Sequence, residues 1–539
     1  MSDLKILIVA PEVSPYVKSG GLGDVIGSLP RALRELGVDA RVVFPKYGSI
    51  HEEYSSNIRY IDSFFVNLGW RCQQASVYEL DQFVPTYLIG NEYYFNRDGL
   101  YGYHDDYERF AFFSKSSIEI LNLIDFVPDV IHFNDWQTGV GCVHLRDSYS
   151  QYVILSNVKS LFTVHNIKYQ GLFGKDILHA IGLNDGYAVT DKLEFYGNIN
   201  MLKAGIVYAD AINTVSETYA KEIQTPEYGY GLDGVLRDQS AKLYGILNGI
   251  DNSEYNPATA AIAKNFSTRS LSGKKVCKYA LQQKLGLPKS DVPMIGIVSR
   301  LADQKGFDLI AIASEELTCM DIQIVVLGTG EERYEQLFRN MAATAPDHVS
   351  ANIYFSDELA REIYAGADML LMPSLFEPCG LGQMFAMRFG TVPIVRLTGG
   401  LADTVTLFDP ATKTGNGFTF KDYDAYGMMW ALRKALAVYG TENWKIVVKN
   451  AMKCDFSWAK SAEKYIKLYQ QLSGSDKDRS SIKTAKEKNP TKTEANKDRS
   501  PTKTEADKDR SPAKTEADKD SSPTKTEADK DMSSTKTEV

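Results

Sequence analysis

Pro373-Ser374-Leu375-Phe376-Glu377-Pro378-Cys379-Gly380-Leu381-Gly382-Gln383 follows an apolar run, Ala367 to Met372, and precedes Met384 to Phe389. The run has the length of a buried strand, and the segment after the turn reads as a helix. A strand, a tight turn and a glycine-opened helix bring free backbone N–H groups and a positive dipole end to one point, which suits an anion. Glu377 stands in the turn, where a carboxylate can reach a ligand's hydroxyls or face a developing positive charge. Alone, the stretch is also an ordinary strand-to-helix connection shaped by its Pro and Gly. The decision between the two rests on its surroundings.

The same arrangement recurs along the chain. Lys5 to Ala10 is a continuous apolar run, as in a parallel strand covered on both faces. Its loop ends in Lys18-Ser19-Gly20-Gly21-Leu22-Gly23-Asp24-Val25; a helical pattern follows over Asp24–Leu36, then a strand over Ala40–Phe44. This βαβ opening is doubly wound in character. Its glycines lack the G-x-G-x-x-G spacing of a dinucleotide fingerprint, but Gly20 and Gly21 let the backbone approach a phosphate while Lys18 neutralises charge. A flexible loop with a solvated Lys is the plainer reading of the same residues.

Val130–Phe133 and Leu161–Val164 are further strands, ending in Asn134-Asp135-Trp136-Gln137 and His165-Asn166. Ligands of open α/β sheets bind beyond such carboxyl ends, which puts Asp135 and His165 where chemistry occurs. Ala211–Ser216 leads into a helix from about Glu217, and Tyr244–Asp251 is a short strand and turn containing Asn248. Asn252–Ser272 is irregular and polar, as in a crossing between domains.

A second βα series begins at Met294–Ser299 and ends in Arg300-Leu301-Ala302-Asp303-Gln304-Lys305-Gly306. An Arg fork and a Lys point charge beyond a strand end can bracket a diphosphate, or be surface charges flanking a turn. Ile322–Leu327 is the next strand, and Ile353–Phe355 precedes a helix. After Val392–Val395 comes Thr398-Gly399-Gly400-Leu401, whose glycines either present N–H groups to an anion or only turn the chain. Phe456–Leu472 has the apolar spacing of a terminal packing helix.

The 539 residues, 44% of them hydrophobic and 24% charged, suit two or three domains. A net charge of −9 argues against non-specific nucleic-acid binding. Six scattered cysteines without a CxxC pair suit reduced thiols rather than a disulfide frame or a zinc site. Leu4–Ala10 is too short for a signal peptide or a membrane span, so a cytoplasmic protein is expected. Asp422-Tyr423-Asp424 and the Asp-Lys-Asp triplets near the C-terminus match an Asp-x-Asp cation pattern, but none follows a buried strand, and no metal site is inferred.

Beyond Gly474, prolines at Pro490, Pro501, Pro512 and Pro523 mark an 11-residue repeat close to TKTEADKDRSP, without Phe, Trp or Tyr. So little apolar area cannot offset an ordering entropy of about 1–2 kcal/mol per residue, and this segment is expected to be disordered.

KSGGLGDV (18–25), NDWQTG (134–139), TVHNIKYQG (163–171), LNGID (247–251), SRLADQKG (299–306), PSLFEPCGLGQ (373–383) and TGGLADTV (398–405) occur in that order. Together they resemble the bacterial and plant glycogen or starch synthases of glycosyltransferase family 5, over about residues 1–473. The resemblance implies a GT-B fold: an α/β protein of two Rossmann-like domains facing a cleft. The expected bounds are 1–250 for the acceptor-side domain, 251–455 for the nucleotide-sugar domain, 456–473 for a terminal helix packed back on the first, and 474–539 for the tail. It further implies retaining transfer of glucose from ADP-glucose to the 4-hydroxyl at the non-reducing end of an α-1,4-glucan, with no cofactor and no metal.

By the same analogy Arg300 and Lys305 bind the diphosphate, and Lys18 with Gly20 and Gly21 approaches from the opposite wall. N–H groups of Gly380, Leu381 and Gly382, and those of the Thr398-Gly399-Gly400 turn, complete an anion cradle. His165, Asp135, Asp24 and Asn248 surround the transferred sugar and acceptor; Glu377 lies beneath the donor glucose, with Cys379 in the same pocket. Two departures stand out. The repeat tail has no family counterpart, and Gly382 stands where bacterial members often have Thr, which leaves UDP-glucose open beside ADP-glucose. A glucan phosphorylase shares the fold but needs a pyridoxal phosphate lysine, and a silent glucan-binding scaffold would have lost Glu377, Lys305 or His165. Ending the chain at Gly474 is expected to leave glucosyl transfer nearly unchanged; a large loss in the folded truncation would show that the tail serves the catalytic domains.

Overall fold

In the computed structural model the apolar runs become parallel strands, and residues 4–50, 54, 56–80 and 82–474 are described. The tail expected to be disordered lies outside the described residues from 475 onward. The strands are β1 (Lys5–Val9), β2 (Asp39–Pro45), β3 (Ile58–Leu68), β4 (Arg71–Leu80), β5 (Thr86–Gly90), β6 (Val130–Asn134), β7 (Lys159–Val164), β8 (Leu172–Phe173), β9 (Glu194–Phe195), β10 (Asn198–Asn200), β11 (Ala211–Thr214) and β12 (Leu243–Gly245) in the first half. The second half adds β13 (Met294–Val298), β14 (Gln323–Leu327), β15 (Val349–Asn352), β16 (Met369–Met372), β17 (Val392–Arg396) and β18 (Phe418–Phe420).

The first sheet has the order β12-β11-β7-β6-β1-β2-β5-β4-β3, parallel from β12 to β5 and extended by the antiparallel β4 and β3. The second, β15-β14-β13-β16-β17-β18, is parallel throughout. Ile6, Leu7, Ile8 and Val9 of β1 are wholly inaccessible, because helices cover both faces of the sheet. Strand order reverses between β1 and β6 in one sheet and between β13 and β16 in the other, and at such reversals open α/β sheets leave a crevice for a ligand. Strand β15 ends at Asn352, Tyr354 and Phe355 stand exposed beyond its carboxyl end, and the helix Asp357–Gly366 follows them as expected.

The chain passes between the two sheets twice, and the passages lie side by side. The Ile250 N–H donates to the Phe456 carbonyl at 2.8 Å, and a Cβ on Gly249 would sit 2.6 Å from Trp458 Cα, an approach only glycine allows. The last helix, Trp458–Ser473, then docks on the first sheet. Tyr469 Oη meets His132 Nδ1 at 2.8 Å, Asn213 Nδ2 donates to Tyr465 Oη at 2.9 Å, and Ser461 Oγ donates to the Leu247 carbonyl at 2.6 Å. No described helix is long and apolar enough to cross a membrane. Replacing Tyr469 by Phe strips a buried imidazole nitrogen of its partner and is expected to cost about 1–3 kcal/mol in urea unfolding; an unchanged midpoint would show the bond contributes nothing.

Candidate active site

On the second sheet, the loop after β13 and the turn after β16 are tied together. The Leu375 N–H donates to the Gln304 carbonyl at 2.9 Å, and Gln304 Nε2 donates to the Phe376 carbonyl at 3.2 Å. This brings Lys305 Nζ to 2.6 Å from Glu377 Oε2, which also accepts from Ser374 Oγ at 3.2 Å. The Glu377 side chain is 7% exposed and that of Lys305 19%, so the pair sits in a largely water-excluded pocket. Arg300, exposed at the start of the same loop, reaches across to Tyr169 Oη at 3.4 Å. Gly380, in the left-handed region at φ 70°, turns the chain into the helix Gly382–Arg388. The N–H groups of Gly380, Leu381 and Gly382 have no protein acceptor among the described residues.

On the first sheet, Lys18 Nζ lies 3.2 Å from Asp24 Oδ1 on an exposed loop. A Cβ at Gly20 or Gly21 would meet nothing within 4 Å, so a ligand can approach this backbone closely. The charges of Asp357 and Glu254, from the second half of the chain, reach Lys18, whereas no described contact joins it to the Lys305–Glu377 pair. Asp135 adopts φ 57°, uncommon for a side-chain-bearing residue, which turns its carboxylate back to accept the His165 N–H at 2.7 Å. His165 Nε2 meets Asn134 Oδ1 at 3.0 Å. Burial pushes the His165 imidazole down to about 3, so it is neutral at ordinary pH. Burial pushes the Asp135 carboxyl up to about 7, against the lowering pull of the His165 N–H.

Neighbours that the sequence reading passed over complete this wall. Glu12, buried two residues after Ala10, accepts the Ser19 N–H, and burial raises its carboxyl. Burial, and after it the charge of Glu12, also raises the Tyr101 phenol, to which Asp135 contributes. Tyr101 Oη and Gln137 Oε1 are buried without a partner among the described residues, a condition uncommon for buried polar groups. Glu12 was findable by the rule that selected Asp135, a polar residue beyond the carboxyl end of a buried strand; Tyr101 lies in an irregular segment and carries no such signal.

The two walls meet at the turn itself. Cys379 and Met384 are buried in the core of the first half, and the Cys379 thiol, pushed up to about 12 by burial, receives the Asn248 backbone N–H. The Asn248 side-chain oxygen is buried without a partner among the described residues.

The Thr398–Gly400 turn corrects an expectation. Gly399 N–H is taken by both oxygens of Glu222 at 3.1 and 3.0 Å, Thr398 Oγ1 donates to the same carboxylate at 3.0 Å, and Gly400 N–H goes to the Glu377 and Pro378 carbonyls at 3.1 and 3.2 Å. A Cβ on Gly399 would fall 1.9 Å from the Glu377 carbonyl oxygen, and one on Gly400 2.1 Å from that of Cys379. These glycines exist to pack backbone on backbone, and their N–H groups are not free for an anion. The N–H groups of Gly380, Leu381 and Gly382, by contrast, remain without a protein acceptor among the described residues. Among the described residues, no group of three or more His, Cys, Asp or Glu is placed to hold a metal ion.

Two doubly wound domains whose reversal points bring a basic and acidic set against an imidazole-bearing wall make the GT-B architecture, that of a class of glycosyltransferases. The family profile described as the starch synthase catalytic domain matches residues 5–238, and that of glycosyl transferases group 1 matches residues 280–453. Over 475 residues the chain is 49% identical to the glycogen synthase of Clostridium novyi (strain NT), covering 87% of this chain and 99% of the relative. It is 48% identical over 474 residues to that of Desulforamulus reducens, with 87% and 99% covered. The catalytic domain of starch synthase IV from Arabidopsis thaliana, solved bound to ADP and acarbose, superposes with a TM-score of 0.82 at 34% identity, over 88% of this chain and all of that one. Sucrose-phosphate synthase from Thermosynechococcus elongatus shares the fold, with a TM-score of 0.54 at 19% identity over 87% of this chain and 99% of that one. The chain belongs to the glycogen synthase family.

Because burial raises the folded-state pKa of Asp135 from 3.8 to about 7, the folded protein keeps a proton that the unfolded chain has lost. Stability therefore falls as pH rises through that interval. Asp135→Asn is expected to flatten the decline in urea midpoint between pH 5 and pH 8, and an unchanged decline would assign it to other groups.

Proposed function

We propose that this protein elongates glycogen by moving glucose from ADP-glucose to the 4-hydroxyl at the non-reducing end of an α-1,4-glucan, with retention of the anomeric configuration. The observation that carries the reading is the part-buried Lys305–Glu377 pair at one reversal point. ADP and acarbose, bound to the Arabidopsis relative, match in kind the nucleotide and the glucan proposed here.

In this reading the diphosphate enters between Arg300, Lys305 and the unpaired N–H groups of Gly380, Leu381 and Gly382. Lys305 then shares its charge between Glu377 and the phosphate. Glu377 becomes less compensated just as the departing sugar develops oxocarbenium character, and stabilises that charge from below. Fixed charges in a water-poor pocket act most strongly because they need no reorganisation during the reaction. A retaining glycosidase would place a second carboxylate as nucleophile about 5–5.5 Å from the first; none is assigned that role here. The leaving phosphate takes the proton of the acceptor hydroxyl on the same face. His165, neutral, and Asp135, near the middle of its titration at pH 7, hydrogen-bond sugar hydroxyls on the other wall, with Asn248, Asp24 and Cys379 bordering the sugar. Lys18, with Gly20 and Gly21, closes on the ligand once its ammonium leaves Asp24.

Donor choice turns on the nucleotide. At Gly382 an added Cβ would meet Tyr364 Oη at 3.6 Å, Met372 Sδ at 3.7 Å and Leu370 Cδ2 at 3.8 Å, ordinary van der Waals contacts. Labelled glucose is expected to pass to purified glycogen from ADP-glucose faster than from UDP-glucose without added metal; transfer from neither donor by the folded protein would refute the proposal. Lys305→Ala and Glu377→Ala should each lower kcat by about a hundredfold or more with folding intact. Near-normal rates in both would remove these residues from the site.

A further inference from the structure

The segment Ser216–Glu222 belongs to the first domain and has no place in the reaction just described, yet it grips the Glu377 turn from two sides. Ser216 Oγ donates to the Pro378 carbonyl at 2.6 Å. The Thr218 N–H donates to the Asp403 carboxylate at 2.9 Å, and the Thr218 hydroxyl donates to its other oxygen. Glu222 holds Thr398 and Gly399, and the next N–H, that of Gly400, holds the carbonyls of Glu377 and Pro378. The path from Glu222 to the Glu377 backbone thus runs through consecutive peptide groups, packed so closely that no side chain fits between them.

Glu222 itself is half-buried on a short helix, Glu217–Glu222, capped by the same Ser216 hydroxyl. Burial raises its carboxyl, the Gly399 N–H and Thr398 hydroxyl lower it, and the charges of Arg396 and Asp403 also face it. Arg396 is itself tied to the Leu375 carbonyl at 2.5 Å and to Tyr228 Oη at 3.2 Å, so the surroundings of Glu222 are braced on both domains.

We propose that Glu222 and Ser216 are positioning residues for Glu377: acting from the opposite domain, they hold the turn so that its carboxylate stays beside Lys305 and beneath the donor sugar. Neither touches substrate. The inference rests on the reading of Glu377 given above and adds that its placement is delivered by contacts from the acceptor-side domain. A carboxylate spanning two N–H and O–H donors is suited to this, because it forms two charge-assisted bonds at once and releases both together.

The test uses the full chain with Glu222→Ala, Glu222→Gln, Ser216→Ala, the Ser216→Ala/Glu222→Ala double variant and Glu377→Gln. For each, kcat and both KM values, the urea midpoint and amide exchange over residues 377–384 are measured. Glu222→Ala is expected to lower kcat about tenfold or more, since a displacement of about 1 Å at a reacting group can cost a hundredfold. The KM for glucan should stay within about twofold, and exchange across the turn should quicken. Glu222→Gln, which keeps an acceptor oxygen, should recover most of the rate, and the double variant should lose less than the product of the single losses because both residues hold one unit. A kcat in Glu222→Ala within about twofold of the parent would overturn the proposal, as would unchanged exchange, a loss that merely tracks unfolded protein, or a Glu222→Gln variant as slow as Glu222→Ala. If Glu377→Gln alone keeps a near-normal rate, the reading of Glu377 fails; if it is inactive while Glu222→Ala and Ser216→Ala are normal, only the positioning role fails.

Discussion

The turn that carries Glu377 has to satisfy two domains at once. Its strand, β16, lies at the centre of the second sheet, while Cys379 and Met384, just beyond it, are buried in the hydrophobic core of the first. Burying an apolar side chain fully is worth about 1.5–3 kcal/mol. Hydrogen bonds from Ser216 and Gly400 then fix the backbone between these anchors. A carboxylate held this way keeps its place although it stands on a loop, the kind of element that elsewhere moves most.

Electrostatics follows from that placement. Glu377 is buried and Lys305 part-buried, and the short contact between them offsets part of the cost of taking their charges out of water. On the other domain burial works differently: it keeps His165 neutral and raises the Asp135 carboxyl to about 7.

The doubly wound character was legible because parallel strands buried on both faces read as unbroken apolar runs, and β1, β13 and β16 stand within two residues of where those runs predicted them. Lys305, Glu377, Asp135 and His165 were singled out for a related reason, as polar residues in the loops beyond such runs. Glu222 was not, because a lone glutamate on a short polar helix looks the same whether it faces water or another domain's backbone. Gly399 and Gly400 misled for the opposite reason: a glycine pair signals close approach of the backbone but not what approaches, and here it is the Glu377 turn rather than a phosphate. The β3–β4 hairpin lies in a stretch to which no element had been assigned, since its half-exposed strands lack a continuous apolar run.

The docking of the last helix on the first sheet sets an order of biosynthesis. A nascent chain that has reached residue 250 already contains every strand of that sheet, yet His132 on β6 and Asn213 on β11 still lack the tyrosines that complete their hydrogen bonds. Those tyrosines are made only after the whole second domain. The first domain to leave the ribosome is accordingly the last to be finished, and its completion draws the two ends of the folded region together across everything made in between.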